Sequence, residues 1–113
     1  MQRVHVFFYG LFMDQALLRE RGLDPQDARL AAVDDFELRI GQRATLVPAP
    51  GRRVHGVVLT LTLAELERLY SEPGVRAYVA QPVRAQLEDG GVLSALCYNL
   101  PEAPLYGDRK SVV

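Results

Sequence analysis

One cysteine, Cys97, is all that the 113 residues contain. No disulfide can form within the chain, which fits a reducing compartment. No apolar run approaches the roughly 18–20 residues of a membrane span. The opening segment from Met1 to Tyr9 is broken by Gly10 too early to serve as a signal peptide. These absences predict a cytoplasmic protein with no membrane partner. Charge of one sign is missing as well: 13 Lys and Arg stand against 14 Asp and Glu, the formal net charge is −1, and the two signs are interspersed. Nothing here builds the field that nucleic acid or an anionic surface needs, so a small uncharged or zwitterionic ligand is the expected partner.

The familiar chemical motifs are missing too. There is no G-x-x-x-x-G-K-[ST] or G-x-G-x-x-G loop to cradle a nucleotide phosphate, and no Gly-x-Ser-x-Gly elbow. His5, His55 and Cys97 lack metal-ligand spacing, so no metal or cofactor is expected. His5 and His55 lie on predicted strands and read as packing or surface residues. Cys97, inside an apolar strand, reads as an inert buried thiol. Arg52 and Arg53 flank a Pro/Gly segment and read as solvated.

What is present suits a self-sufficient core. Hydrophobic residues make up 49% of the chain, and the length suits one domain spanning residues 1–113. Val4 to Tyr9 is an apolar and aromatic run that stops at glycine, the pattern of a buried strand entering a tight loop. Asp14 can cap a helix from Gln15 to Arg21, which Gly22 ends. Asp24-Pro25 is suited to open another short helical turn. Phe36, Leu38 and Ile40 alternate with Glu37 and Arg39, giving a strand. Pro48-Ala49-Pro50-Gly51 reads as a turn, and Val57 to Thr62 as the next strand.

Thr62-Leu63-Ala64-Glu65 has the form of a capping box. It opens a helix with Leu63, Leu66, Leu69 and Tyr70 on one face, closed by Pro73-Gly74. After Tyr78, Val83, Ala85 and Leu87 alternate with polar residues. Asp89-Gly90-Gly91 signals a hairpin whose return strand runs from Val92 to Leu100. About five strands and two helices predict an α+β fold, a mixed β-sheet or small barrel with packed helices.

Two segments stand out chemically. The first is Phe7-Phe8-Tyr9-Gly10-Leu11-Phe12-Met13-Asp14. A strand that ends at glycine just before a helix can leave several N–H groups aimed to one side, ready for a carboxylate or an oxyanion; the same residues also describe an ordinary strand-to-helix turn. The second runs from Leu69 to Tyr78. Glu72 falls at a helix C-terminus, where the dipole opposes a negative charge. A carboxyl group so placed is suited to taking and giving a proton, although a solvated Glu at a frayed helix end has the same sequence.

Together these segments resemble the γ-glutamylcyclotransferase-like family. Its members open with a strand and Tyr-Gly-Ser/Thr-Leu/Asn, matched here by Phe8-Tyr9-Gly10-Leu11-Phe12-Met13. Its Val-x-Gly strand is similar to Val54-His55-Gly56-Val57-Val58-Leu59. The family segment Leu-Asp-x-x-Glu-Gly around the essential Glu resembles Leu69-Tyr70-Ser71-Glu72-Pro73, with Tyr78 as the tyrosine that follows. Tyr106-Gly107-Asp108 resembles a Gly-Asp-Trp ending. The chain departs from the family at Leu11 (for Ser or Thr), Tyr70 (for Asp), Pro73 (for Gly) and Arg109 (for Trp).

The resemblance implies a cofactor-independent enzyme of the lyase or acyltransferase type. In that chemistry the α-amine of a γ-glutamyl group attacks its own γ-carbonyl, 5-oxoproline forms, and an amine or amino acid leaves. It implies Glu72 as the proton-transfer residue, backbone donors at Gly10, Leu11 and Phe12 for an oxyanion or the α-carboxylate, and Tyr9 and Tyr78 as pocket walls. A non-catalytic ligand-binding module on the same fold, favoured by Leu11, is the alternative.

Overall fold

The computed structural model describes residues 2–101; Tyr106 to Asp108 and Arg109 lie outside them. The first strand, β1, runs Arg3–Phe8 and is followed by a 3-10 turn, Leu11–Met13, and helix α1, Gln15–Glu20. Two long strands come next, β2 (Gln26–Ile40) and β3 (Ala44–Thr62), then helix α2 (Leu63–Leu69), β4 (Val79–Leu87) and β5 (Val92–Asn99). The strands close into a barrel in the order β1-β3-β2-β4-β5. β1 is the staple of this barrel. It lies antiparallel to β3 from Arg3↔Thr62 to Phe8↔Val57 and touches β5 in parallel at Val6↔Leu96. This α+β barrel with two helices is the expected fold.

Successive side chains on a strand point to opposite faces, and here both faces are buried. Val6 and Phe8 of β1, with Val57, Leu59 and Leu61 of β3, pack against Leu18, Leu66 and Leu69 of the helices. Phe7 and Val58 point the other way, into the barrel, with Val33, Ala85 and Cys97. Each such side chain contributes about 1.5–3 kcal/mol by leaving water. Gly56 is fixed by this packing. A Cβ there would stand 2.2 Å from the Phe8 carbonyl oxygen and 2.8 Å from the Phe7 ring, so β3 can lie this close to β1 only with glycine.

The helix starts and the end of α1 follow the sequence closely, whereas α2 stops at Leu69, short of the Pro73-Gly74 pair expected to close it. The Asp14 carboxylate accepts from the N–H groups of Ala16 (3.0 Å) and Leu17 (3.3 Å), and Gly22 takes a positive φ of 86° just beyond α1. In α2 the Thr62 hydroxyl accepts from Glu65 N (3.1 Å) while Glu65 Oε1 accepts from Thr62 N (2.7 Å), completing the capping box. Leu66 and Leu69 are buried as expected, but Leu63 is exposed. It sits at the first position of α2 on the far side from the barrel.

Four local expectations need correction. Asp24-Pro25 starts no helix: Glu65 Oε2 accepts from Asp24 N at 2.7 Å, and the chain enters β2 with Gln26 opposite Thr60. β2 begins ten residues before Phe36, through a polar stretch interrupted by positive φ at Asp27 and Asp35. Pro48 to Gly51 does not reverse the chain. It bulges out of β3 between the pairs Phe36↔Pro48 and Asp34↔Arg53, held by a Gly51 N–H bond to Asp35 Oδ1 (2.9 Å). The reversal lies earlier, where Gly41 N donates to Arg43 O (3.1 Å). Finally, Arg53 is not merely solvated: it grips both carboxylate oxygens of Asp34. The β4–β5 hairpin forms at Asp89-Gly90-Gly91 as its sequence predicts. Among the described residues, no helix is long and apolar enough to cross a membrane.

Candidate active site

A cavity of about 320 Å3 opens where β1 ends, a volume at the lower end for small-ligand pockets. Its floor is the end of β1 and the loop after it, with Phe7, Phe8, Tyr9, Gly10 and Phe12. One wall comes from the segment after α2, with Tyr70, Gly74, Val75 and Tyr78, and another from Tyr98 of β5. The β2–β3 turn closes the rim with Gln42, Arg43 and Ala44. Four distant stretches of chain therefore meet at one place.

The walls are built from aromatic contacts. Tyr70 stacks on Tyr98 with ring centroids 3.9 Å apart and planes 8° apart. Phe12 meets Tyr70 edge-on at 6.0 Å and Phe8 edge-on at 6.1 Å. Such pairs add about 0.5–1.5 kcal/mol each beyond the area they bury. Burial holds the Tyr70 phenol well above the ordinary tyrosine range, with Tyr9, Tyr98, Cys97 and Tyr78 adding to the effect. Among the described residues no hydrogen-bond partner meets the Tyr70 hydroxyl, so a mostly buried donor is left for a ligand.

The Tyr9 hydroxyl, by contrast, is fully occupied. Its single proton faces Tyr98 O at 2.8 Å, Asn99 Oδ1 at 3.0 Å and Ala44 O at 3.5 Å. Burial first, then Cys97 and Tyr78, pushes it far above the usual range, so it stays protonated near neutral pH. Asn99 is the hub behind this wall. Its Oδ1 also accepts from Leu46 N (3.1 Å) and faces the Cys97 thiol (3.7 Å), while Nδ2 donates to Gln81 (2.9 Å). Cys97 is buried and its thiol is pushed up to about 12 by that burial, matching the inert role expected of it.

The segment after α2 winds in short turns. Val75 N and Arg76 N both bond Glu72 O at 3.0 Å, and Tyr78 N bonds Val75 O at 3.0 Å. This winding points Tyr70 and Tyr78 into the cavity. The Tyr78 hydroxyl donates to Ala44 O, tying the segment to the β2–β3 turn. Glu72 is not among the residues that line the cavity. Its side chain is 40% exposed and its carboxylate is paired with Arg21. The Arg21 guanidinium carbon sits 5.7 Å from the Phe12 ring centre, so Arg21 links the Glu72 carboxylate to a ring of the cavity wall.

Of the residues singled out from sequence, Tyr9, Gly10, Phe12 and Tyr78 surround the cavity; Glu72 does not line it. Leu11 opens the 3-10 turn, and its side chain lies outside what the structure describes. Met13 N closes that turn on Gly10 O at 3.0 Å, and the N–H groups at the start of such a turn have no partner within it. The sequence pattern marked Tyr70 as a helix-face residue and as a departure from the family, not as a pocket residue, and it did not point to Tyr98, Gln42, Arg43 or Asn99. Among the described residues, no Asp or Glu lines the cavity. Among the described residues, no group of three His, Cys, Asp or Glu could hold a metal ion.

A five-stranded barrel carrying two helices and a pocket at the end of its first strand defines a known class of protein. The chain matches the family model described as "Gamma-glutamyl cyclotransferase, AIG2-like" over residues 6–111, and it belongs to that family. No curated protein matches it. Several solved structures share the fold. A protein from Arabidopsis thaliana superposes with a TM-score of 0.82 at 25% identity, covering 99% of this chain and 78% of that one. A structure named "Gamma-glutamyl cyclotransferase" gives 0.76 at 22% identity, covering 91% and 69%. An AIG2-like protein from Mus musculus gives 0.74 at 18%, covering 92% and 82%.

Proposed function

We propose that this chain releases 5-oxoproline from a small γ-glutamyl amine or γ-glutamyl amino acid held in the tyrosine-lined cavity. The observation that carries this reading is the convergence of the Tyr9-Gly10-Phe12 loop and the Tyr70–Tyr78 segment on one small pocket, in a member of the γ-glutamyl cyclotransferase family. Folding the γ-glutamyl group against these walls brings its α-amine onto its own γ-carbonyl, and proximity then supplies much of the rate. The new C–N bond closes the ring. The bond from the γ-carbon to the leaving nitrogen breaks; of the two protons that the α-ammonium sheds in becoming the ring N–H, one is delivered to that nitrogen and the other goes to solvent. Glu72 carries the delivered proton, entering the cavity after Arg21 releases it. The N–H groups at Gly10, Leu11 and Phe12 face the developing oxyanion. The Tyr70 hydroxyl is a further donor that the sequence pattern did not suggest.

Release of 5-oxoproline from a panel of γ-glutamyl amines and amino acids tests the reaction. Glu72→Gln is expected to retain the fold and ligand affinity while losing turnover by about two to four orders of magnitude. Undiminished turnover in that variant removes Glu72 from the mechanism.

A second reading, a ligand-binding module without turnover, rests on a specific observation. The Glu72 carboxylate is held by Arg21 outside the cavity lining. Aligned without a gap on Leu-Asp-x-x-Glu-Gly, moreover, Leu69 to Gly74 put Pro73 at the glutamate position. Binding of γ-glutamyl compounds with no product formed selects this reading.

A further inference from the structure

Among the described residues that line the cavity, Arg43 is the one with a charged side chain; it is exposed at the mouth, and the backbone of its turn is held in place. Gly41 N bonds Arg43 O at 3.1 Å, setting the β2–β3 reversal. The next carbonyl, that of Ala44, accepts from the Tyr78 hydroxyl on the opposite wall. The turn is therefore tied across the mouth rather than left to wave in solvent. Arg43 forms no ion pair with a carboxylate among the described residues, whereas Arg21, Arg39 and Arg53 each do. Its charge reaches the interior: burial raises the Tyr78 phenol, and Arg43 pulls it back down. Around this cation the walls are phenol and phenyl rings, with Gln42 beside it and no acid among the described lining residues to compete for it.

We propose that Arg43 is the carboxylate-recognising residue of this pocket and that it selects ligands bearing an α-carboxylate. The inference rests on the γ-glutamyl reading above. It assigns the α-carboxylate to the β2–β3 turn and leaves the backbone donors after Gly10 to the γ-carbonyl oxygen. A guanidinium suits this task because its fork of donors matches the two oxygens of a carboxylate. The absence of Asp and Glu from the described lining residues adds a second preference. A cationic leaving amine would find no counter-charge, so uncharged and aromatic leaving groups fit best.

The test compares ligands that differ only in this carboxylate. 5-Oxoproline and 2-pyrrolidinone are titrated by NMR into the wild-type protein, Arg43→Met and Arg43→Lys. The γ-glutamyl and 4-aminobutanoyl anilides, which would yield those two lactams, are assayed for turnover. The wild-type protein is expected to favour 5-oxoproline by about ten- to a hundredfold, the range of a charge-assisted hydrogen bond. Arg43→Met erases the preference, Arg43→Lys keeps part of it, and neither alters 2-pyrrolidinone binding. In turnover, the loss in Arg43→Met falls on KM for the γ-glutamyl anilide and spares the 4-aminobutanoyl one. Preference retained in Arg43→Met overturns the assignment, as does an equal loss for both lactams. Binding with this pattern but without turnover defeats the catalytic reading and leaves Arg43 standing. No binding and no turnover defeats both.

Discussion

Replacing Asn99 by leucine removes the hub behind the cavity while nearly preserving its volume. Asn99 is 5% exposed, so what it leaves behind stays away from water. The Leu46 N–H, now 3.1 Å from Asn99 Oδ1, loses that acceptor, and an orphaned buried donor costs about 1–3 kcal/mol. Tyr9 loses one of its acceptors but keeps Tyr98 O at 2.8 Å, a loss of about 0.5 kcal/mol at most. Gln81 is only half-buried and can turn to solvent, and the Cys97 thiol is a weak donor. The sum is a destabilisation of about 1–3.5 kcal/mol, which for a chain of this size lowers Tm by roughly 4–28 °C. Urea unfolding followed by circular dichroism measures it directly. Gln81→Glu is the control: it alters the outer partner but leaves an acceptor for Asn99 Nδ2, and it is expected to cost under about 1 kcal/mol. A loss below about 0.5 kcal/mol in Asn99→Leu, or equal losses in the two variants, would refute the view that the inner amide bond is what matters.

Other perturbations test the frame that holds the pocket. Gly56→Ala forces a methyl group against the Phe8 carbonyl oxygen and the Phe7 ring; it is expected to cost about 3 kcal/mol or more, read as a shift in the urea midpoint at unchanged slope. For Glu65, burial works against ionisation, but the Thr62 and Asp24 N–H groups, the Thr62 hydroxyl and Arg3 outweigh it and hold its carboxyl below the usual range. Its stabilising effect is thus complete above the unfolded-state value and is lost as pH falls through the folded one. Glu65→Gln should cost about 1–2 kcal/mol at pH 7, and the gap from wild type should narrow below about pH 4. A gap that widens with acid contradicts the assignment.

Much of the frame was legible because it is local. A side chain bonding its neighbours three residues on, as in the Asp14 cap and the Thr62–Glu65 box, leaves its mark in a short window of sequence. So does the Asp89-Gly90-Gly91 hairpin, whose Gly90 adopts a φ of 98°. The early course of β2 was not legible, since Asp27, Asp34 and Asp35 oppose strand formation locally and only pairing with β3 overrides them. Pro48 to Gly51 misled for the related reason that a wide bulge and a chain reversal use the same residues. In the site, the Tyr9-Gly10-Phe12 loop could be found because a strand stopping at glycine is a local signal, and Tyr78 through the family resemblance. Arg43, Tyr98 and Asn99 come from elements whose sequences carry no such mark. Only the barrel order, with β1 set between β3 and β5, brings them together.

The aromatic walls also give the chain a built-in optical probe. It has no tryptophan and five tyrosines, four of which line the cavity. Near-ultraviolet absorbance and emission from this protein therefore come chiefly from the pocket itself. A compound that slides between Tyr70 and Tyr78, or that separates the Tyr70–Tyr98 stack, reports its own arrival without any label.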